Sequence, residues 1–171
     1  MTYLNYLGQP MAERASGPGV FGSSAGGETL TAPAGPSSVD DNGGDDLLIG
    51  SNGDNTFIVR DPSDVVRVGG GLSGTKSVTA FTSYTLPSNV QNLTSSGALN
   101  YAVGNALDNL IKVGNDGETL YGGPGNDVLV GGFANDTFIV KAGEGNDVIC
   151  GFHAGDTIRL IDPTSRPSNR P

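Results

Sequence analysis

A nine-residue period limits what this chain can fold into more than any other feature. Each period places an acid or an amide at its sixth position and an apolar residue at its eighth, as in GGPGNDVLV at 122–130 and GGFANDTFI at 131–139. The period starts with DNGGDDLLI at 41–49, is lost over 69–103, and returns over 104–159 with a two-residue slip at Val140 and Lys141. A period this short repeats one small unit, so the sequence predicts a solenoid.

The eighth positions predict the strands of that solenoid. The residue before each of them is Leu, Val or Thr, so every unit contains a short β-forming stretch that points one side chain inward. Glycine pairs between these stretches permit the turns that reverse the chain. We therefore expect an all-β fold, a parallel β-roll in which two nonapeptides form one coil. The inward residues are Leu48, Phe57, Val66, Ile111, Leu120, Leu129, Phe138, Ile149 and Ile158.

The sixth positions predict which turns stack on each other. With two nonapeptides in a coil, turns on the same edge recur every 18 residues, or every 20 across the slip. This spacing stacks Asp46 with Asp64, Asn109 with Asp127 and Asp147, and Glu118 with Asp136 and Asp156. The same count places Ser73 opposite Asn55, which therefore has no predicted acidic partner.

Stacked acidic turns favour calcium. The ion takes six to eight oxygen ligands from carboxylates and backbone carbonyls, and two glycine-rich turns can supply what one cannot. We expect the tightest sites at Asp127 with Asp147 and at Asp136 with Asp156, since each pair supplies two carboxylates. The predicted metal-site residues are Asp127, Asp147, Asp136, Asp156, Asn109, Glu118, Asp46, Asp64, Gly122, Gly125, Gly131, Gly143 and Gly145.

The repeat resembles that of the RTX (repeats-in-toxin) family, also called hemolysin-type calcium-binding repeats. GGPGNDVLV matches the family pattern G-G-x-G-x-D-x-U-x fully, and GGFANDTFI departs from it only at Ala134. The resemblance covers about 41–162. It implies a bacterial, extracellular β-roll that binds several Ca²⁺ ions, folds on binding them after secretion, and stabilises or presents adjacent domains.

Charge and composition exclude several other partners. The net charge of −9 and the pI near 4.3 are unlike the basic surface of a nucleic-acid-binding protein. No apolar run approaches the roughly 20 residues of a membrane span, and the N-terminal residues do not resemble a Sec-type signal peptide. With Cys150 as the single cysteine, no disulfide within the chain is expected.

The repeat frame also divides the chain. We expect a flexible Gly/Ser/Pro-rich lead-in at 1–40, a short repeat block at 41–67, a β-strand spacer without repeat acids at 68–103, the main calcium-binding roll at 104–162, and a disordered tail at 163–171. In the spacer, GGGLSGTKS at 69–77 superficially resembles a phosphate-binding loop. Thr75 stands where that motif needs glycine, so we interpret the segment as a glycine turn.

Two functional alternatives stay open. The chain could be the calcium-binding module of a secreted polysaccharide-acting enzyme, such as a glycoside hydrolase or an alginate epimerase, or it could be an adhesion or matrix module. A polysaccharide or a neighbouring domain would then be a partner besides calcium. No catalytic residue is predicted, because nearly every acid from Asp108 to Asp156 already has a place in or beside a turn. The oligomeric state is not predicted.

Overall fold

The computed structural model describes residues 19–97 and 100–162, and these residues form strands and turns without a helix. This confirms the predicted all-β class. Most strands are three to five residues long, as expected where each nonapeptide contributes one inward side chain. The strands are β1 Gly19–Phe21, β2 Thr29–Thr31, β3 Ser37–Asp40, β4 Leu47–Ile49, β5 Asn55–Val59, β6 Val65–Arg67, β7 Lys76–Ala80, β8 Tyr84–Thr85, β9 Asn92–Ser95, β10 Tyr101–Val103, β11 Leu110–Lys112, β12 Thr119–Tyr121, β13 Val128–Val130, β14 Thr137–Lys141, β15 Val148–Cys150 and β16 Thr157–Ile161.

The strands alternate between two faces of a parallel β-roll. All eight odd-numbered strands form one sheet in chain order, and the even-numbered strands form two sheets, β2-β4-β6 and β8-β10-β12-β14-β16. Except between β6 and β8, each strand pairs in parallel with the strand two places along the chain, so one coil contributes one strand to each face. The predicted β-roll is confirmed.

The core is a single layer of side chains between the two faces. Register aligns the inward residues of successive coils, so that Ile111 lies between Leu93 and Leu129, and Leu120 lies between Ala102 and Phe138. All six are fully buried. Ile158, in the last described coil, is 45% exposed because no further described strand pairs beyond β16. Because the core is only one layer thick, contacts between stacked turns must stabilise the edges of the coils.

The roll begins earlier than the sequence frame predicts. Residues 19–40, which we assign to a flexible lead-in from composition, form β1, β2 and β3. Leu30 aligns with Leu48, and Val39 aligns with Phe57, so the same ladders extend backward through this Gly- and Pro-rich segment. Residues 1–18 of the predicted lead-in, and the predicted tail at 163–171, lie outside the described residues.

The spacer continues the roll with coils of unequal length. Hydrogen bonds join turns 21 residues apart between Asn52 and Ser73, and 15 residues apart between Lys76 and Gln91. The first of these coils is larger than the regular 18-residue step and the second is smaller. The odd-strand sheet passes through both without a break, so the two repeat blocks belong to one solenoid.

None of the described residues forms a helix of the length and apolar character needed to cross a bilayer.

Candidate calcium-binding turns

The turns of the roll stack in two rows. The first row leads from odd-numbered to even-numbered strands and includes 41–46, 60–64, 113–118, 131–136 and 151–156. The second row leads from even-numbered to odd-numbered strands and includes 50–54, 68–75, 104–109, 122–127 and 142–147. The structure therefore places the predicted residues in two sets. The first row holds Asp46, Asp64, Glu118, Gly131, Asp136 and Asp156, and the second holds Asn109, Gly122, Gly125, Asp127, Gly143, Gly145 and Asp147.

In the second row, side chains at the sixth position link one coil to the next. Asp127 Oδ1 accepts a hydrogen bond from the backbone N–H of Asn109 at 2.7 Å, and Asp147 Oδ1 accepts one from the N–H of Asp127 at 3.1 Å. Each aspartate thus satisfies the backbone of the preceding coil with one oxygen. The other oxygen of Asp127 is buried without a hydrogen-bond partner.

The first row repeats the Oδ1 contacts in both halves of the roll. The second oxygens of Asp64, Asp136 and Asp156 differ, since each accepts a backbone N–H from its own turn. Asp136 Oδ1 accepts from the N–H of Glu118 at 3.0 Å, and Asp156 Oδ1 accepts from the N–H of Asp136 at 2.9 Å. Near the N-terminal end, Asp64 Oδ1 accepts from the N–H of Asp46 at 3.0 Å. The pairs that the 18- and 20-residue steps predict therefore lie next to each other in the structure.

Three carboxylate oxygens in these rows are buried without a hydrogen-bond partner. They are Oδ2 of Asp46, Oε2 of Glu118 and Oδ2 of Asp127, and the three residues are 4%, 1% and 0% exposed. A buried carboxylate oxygen without a partner is strongly unfavourable. A hard cation that prefers oxygen ligands would relieve this cost, so the donor set fits calcium.

The glycines make room for close stacking of these turns. A Cβ on Gly122 would lie 2.0 Å from Asp127 Oδ2, and one on Gly131 would lie 2.9 Å from Asp136 Oδ2. Gly125 and Gly145 have φ of 148° and 138°, and a Cβ on Gly145 would lie 1.7 Å from the carbonyl oxygen of Gly125. Backbone carbonyls and carboxylates can therefore approach each other only where these positions lack a side chain.

Electrostatics favour a cation between the turns. Burial raises the pKa of Asp127; the hydrogen bond from Asn109 opposes this, and the negative charges of Asp147, Asp108 and Glu144 raise it again. A divalent cation would reverse both the burial cost and the repulsion. The carboxylates can thus be charged together only at an energetic cost that calcium would remove.

Glu118 is in the same condition. Burial raises its pKa, and the negative charges of Asp136 and Asp116 raise it further, while the hydroxyl of Ser95 donates to Oε1 at 2.9 Å and opposes the shift. The extra methylene of Glu118 does not prevent stacking. The backbone N–H of Glu118 donates to Asp136 Oδ1, as the N–H of an aspartate at this position does in the other turns.

Two acids at the first row escaped the sequence analysis. The backbone N–H of Glu28 donates to Asp46 Oδ1 at 2.8 Å, so Glu28 begins the ladder 18 residues before Asp46. Counting the step backward from Asp46 finds this residue. Asp41 is fully buried. Burial raises its pKa to about 7, and the hydrogen bond with the Asp64 carboxyl group and the repulsion between the two charges act in the same direction. Its signal is an acid at the first position of a repeat, where the clearest copies have glycine.

One stacking prediction is wrong. Asn55 lies opposite Lys76 and not opposite Ser73, because the turn at 68–75 is longer than the others. The amide of Asn55 donates to Ser37 Oγ at 2.9 Å. The sixth-position ladder of the second row thus passes through a buried lysine.

Among residues 19–97 and 100–162, no three His, Cys, Asp or Glu side chains cluster as a self-contained metal site. The turns instead offer carboxylates from successive coils together with backbone carbonyls, which is a donor set suited to a hard cation.

Comparison with known proteins agrees with this geometry. The RTX calcium-binding nonapeptide repeat matches residues 23–57, 103–138 and 113–149. The chain is 36% identical over 120 residues to the endo-1,3-1,4-beta-glycanase ExsH and 37% identical over 115 residues to the endo-1,3-1,4-beta-glycanase EglC, both of Rhizobium meliloti (strain 1021).

These alignments cover 70% and 66% of this chain but only 26% and 24% of the two relatives, so the chain spans about a quarter of their length. No solved structure matches it. The repeat match from residue 23 onward also agrees with the early start of the roll. On its sequence repeats and its stacked turns, the chain belongs to the family of RTX calcium-binding nonapeptide repeats.

Proposed function

We propose that this chain is an extracellular calcium-binding β-roll that completes its fold when it meets calcium after secretion, and that it stabilises or presents adjacent domains. The observation that carries the proposal is the set of three buried carboxylate oxygens without partners, on Asp46, Glu118 and Asp127. Without a cation these oxygens oppose folding, and with one they favour it. Calcium binding and folding are therefore coupled.

The ligands of each ion come from two stacked turns of the same row. In the second row, Asp127 and Asp147 supply carboxylates, with carbonyls from the turns that contain Gly122, Gly125, Gly143 and Gly145. In the first row, Asp136 and Asp156 do so with the turn of Gly131. Pairs with one neutral or longer side chain, Asn109 with Asp127 and Glu118 with Asp136, bind more weakly. Asp46 and Asp64 form a further pair near the N-terminal end.

A calcium titration followed by far-UV circular dichroism tests the proposal. We expect a cooperative gain of β signal with a midpoint of about 10⁻⁴ to 10⁻³ M, the range of extracellular calcium modules. Magnesium is the matched control, since it demands a smaller octahedral site and retains its waters. A spectrum that chelator leaves unchanged would sink the proposal. A calcium midpoint below micromolar would agree with calcium binding but would contradict folding that waits for calcium outside the cell.

A second proposal is that the chain is the calcium-binding part of a secreted polysaccharide-acting enzyme. It is supported by the two relatives, whose names are those of glycanases and whose length the chain covers by only a quarter. Incubating the folded chain with a 1,3-1,4-β-glycan and measuring both sedimentation and reducing ends tests it. Binding without cleavage supports a module or an adhesin, and cleavage by the chain alone contradicts a purely calcium-binding role.

A further inference from the structure

A lysine is buried where the other turns of the second row carry an acid or an amide. Lys76 begins β7 and is 1% exposed. Lysine is almost never fully buried unless its charge is paired, because an isolated ammonium loses its hydration. Burial indeed lowers the pKa of Lys76, and the carboxylate of Asp54 opposes that shift. The position must therefore supply strong partners for the ammonium.

Those partners are backbone carbonyls of two stacked turns. Nζ of Lys76 donates to the carbonyl oxygens of Gly53 and Ser73 at 2.6 Å each, and to that of Gly74 at 3.3 Å. An ammonium has three hydrogens and no acceptor, so three carbonyls satisfy it. One of them comes from the preceding coil and two from the coil of Lys76 itself. The cation thus joins two turns, as an ion between them would.

The turn at Lys76 is built like the candidate calcium turns. Gly53 and Gly74 have φ of 95° and 81°, and a Cβ on Gly74 would lie 2.3 Å from the carbonyl carbon of Gly53. Gly125 and Gly145 stack in the same way and at the same place in their turns, two residues before the sixth position. The backbone N–H of Lys76 also donates to Gln91 Oε1 at 2.7 Å, as that of the sixth-position Asn109 donates to the Asp127 carboxylate.

The charges around Lys76 differ from those around the candidate calcium turns, and they suit a cation that is part of a side chain. No Asp or Glu occurs from Val65 to Leu107, so this part of the roll has no carboxylate ladder. The second-row register instead carries Asn55, Lys76 and Gln91 in succession. An ion would find few charged ligands here, whereas the ammonium needs only the carbonyls.

We propose that the ε-ammonium of Lys76 stands in for calcium between the turns at 50–54 and 68–75, so that the coils over about 53–92 stay ordered without calcium. These coils then serve as the folded base on which the calcium-dependent coils at 104–159 assemble. Only the assembly of 104–159 on this base rests on the proposed function. The order of residues 53–92 in chelator does not depend on it and can be measured by itself.

Hydrogen exchange of the full chain, resolved by peptide and followed in chelator, tests the proposal. We expect wild-type amides over 53–92 to be protected in chelator while those over 104–156 are not. Lys76→Met retains length but removes the charge, and should raise exchange over 53–92 at least about tenfold, since one charge-assisted hydrogen bond is worth roughly that factor. Lys112→Met, at an exposed strand position, is the matched control and should change it less than about twofold.

Lys76→Asp gives a second, independent test. It places an aspartate opposite Asn55, as Asp127 lies opposite Asn109. In chelator this variant should lose protection over 53–92, and calcium should restore it with one more ion bound per chain by titration calorimetry. Three results would each overturn the proposal: wild-type exchange without protection over 53–92 in chelator, equal exchange in Lys76→Met and Lys112→Met, or a Lys76→Asp variant that calcium does not rescue.

These outcomes are separate from those of the proposed function. If calcium fails to protect 104–156 in wild type, the calcium-binding proposal fails, whatever Lys76 does. If calcium protects 104–156 equally in all variants while Lys76→Met leaves 53–92 unchanged, only the tethered-cation proposal fails.

Discussion

Asp127 uses its two carboxylate oxygens for different purposes, and replacing it with asparagine should separate them. Oδ1 accepts the N–H of Asn109 at 2.7 Å, and the buried Oδ2 has no partner. Asp127→Asn retains shape and hydrogen bonding but removes the charge. We expect this variant to be more stable than wild type in chelator and less stable than wild type in saturating calcium.

The magnitude follows from the neighbouring coil. Asn109 occupies the same position one coil earlier, and its amide donates to the carbonyls of Val90 and Gln91 at 3.1 Å each, so an amide can be satisfied there. Replacing a buried oxygen that has no partner with a satisfied group should gain about 1–3 kcal/mol of unfolding free energy in chelator. Loss of one charged ligand should weaken calcium binding at least tenfold, or about 1.4 kcal/mol.

Far-UV circular dichroism measures both effects, as the residual β signal in chelator and as the urea midpoint in calcium. Asp108→Asn is the matched control, because Asp108 is exposed and its Oδ1 accepts the N–H of Asn126 at 2.8 Å across the same two coils. It should change stability by less than about 0.5 kcal/mol in either condition. If Asp127→Asn is less stable than wild type in chelator, or responds to calcium as wild type does, the buried Oδ2 does not oppose folding and does not bind calcium.

Three further predictions concern the turns. Gly145→Ala should destabilise the calcium-bound roll by more than about 3 kcal/mol, because its Cβ would lie 1.7 Å from the Gly125 carbonyl oxygen. Gly143→Ala, with φ of 86° and open space, should cost only about 1–2 kcal/mol of backbone strain; equal thermal shifts would contradict the stacking. In chelator, unfolding free energy should rise as pH falls from 8 to 5, because the raised pKa of Asp41, about 7, favours proton uptake on folding. Asp41→Asn should flatten that dependence. A wild-type unfolding free energy that rises with pH between 5 and 8 would contradict this prediction. Magnesium at ten times the calcium midpoint should leave the circular dichroism spectrum as it is in chelator. Magnesium that induces the β signal at the same concentration as calcium would argue against a calcium-sized site.

Much of the fold could be predicted because the repeat encodes packing directly. An apolar residue at every eighth position determines which side chain of each strand is inward, and Leu120 and Leu129 are fully buried as expected. The 18-residue step likewise stacks Asn109 with Asp127, since equal coils keep equal positions in register.

The remaining features depended on coil length and on residues outside the repeat pattern. The longer turn at 68–75 shifts the frame, so counting reaches Ser73 where the register reaches Lys76. The segment 19–40 looks like a linker by composition, yet Leu30 and Val39 continue the inward ladders. Composition reports average flexibility, whereas a solenoid needs only one inward residue per strand and a neighbouring coil to pair with.

A crystal structure of the chain grown with calcium, with ions located by their anomalous scattering, would decide whether the stacked turns bind calcium. We predict ions between stacked turns of both rows, first between the turns of Asp127 and Asp147 and between those of Asp136 and Asp156. We predict none beside Lys76, where the ammonium already contacts the carbonyls. Ions found only at the outer surface, or turns of these aspartates that stay free of calcium at millimolar concentration, would contradict these predictions.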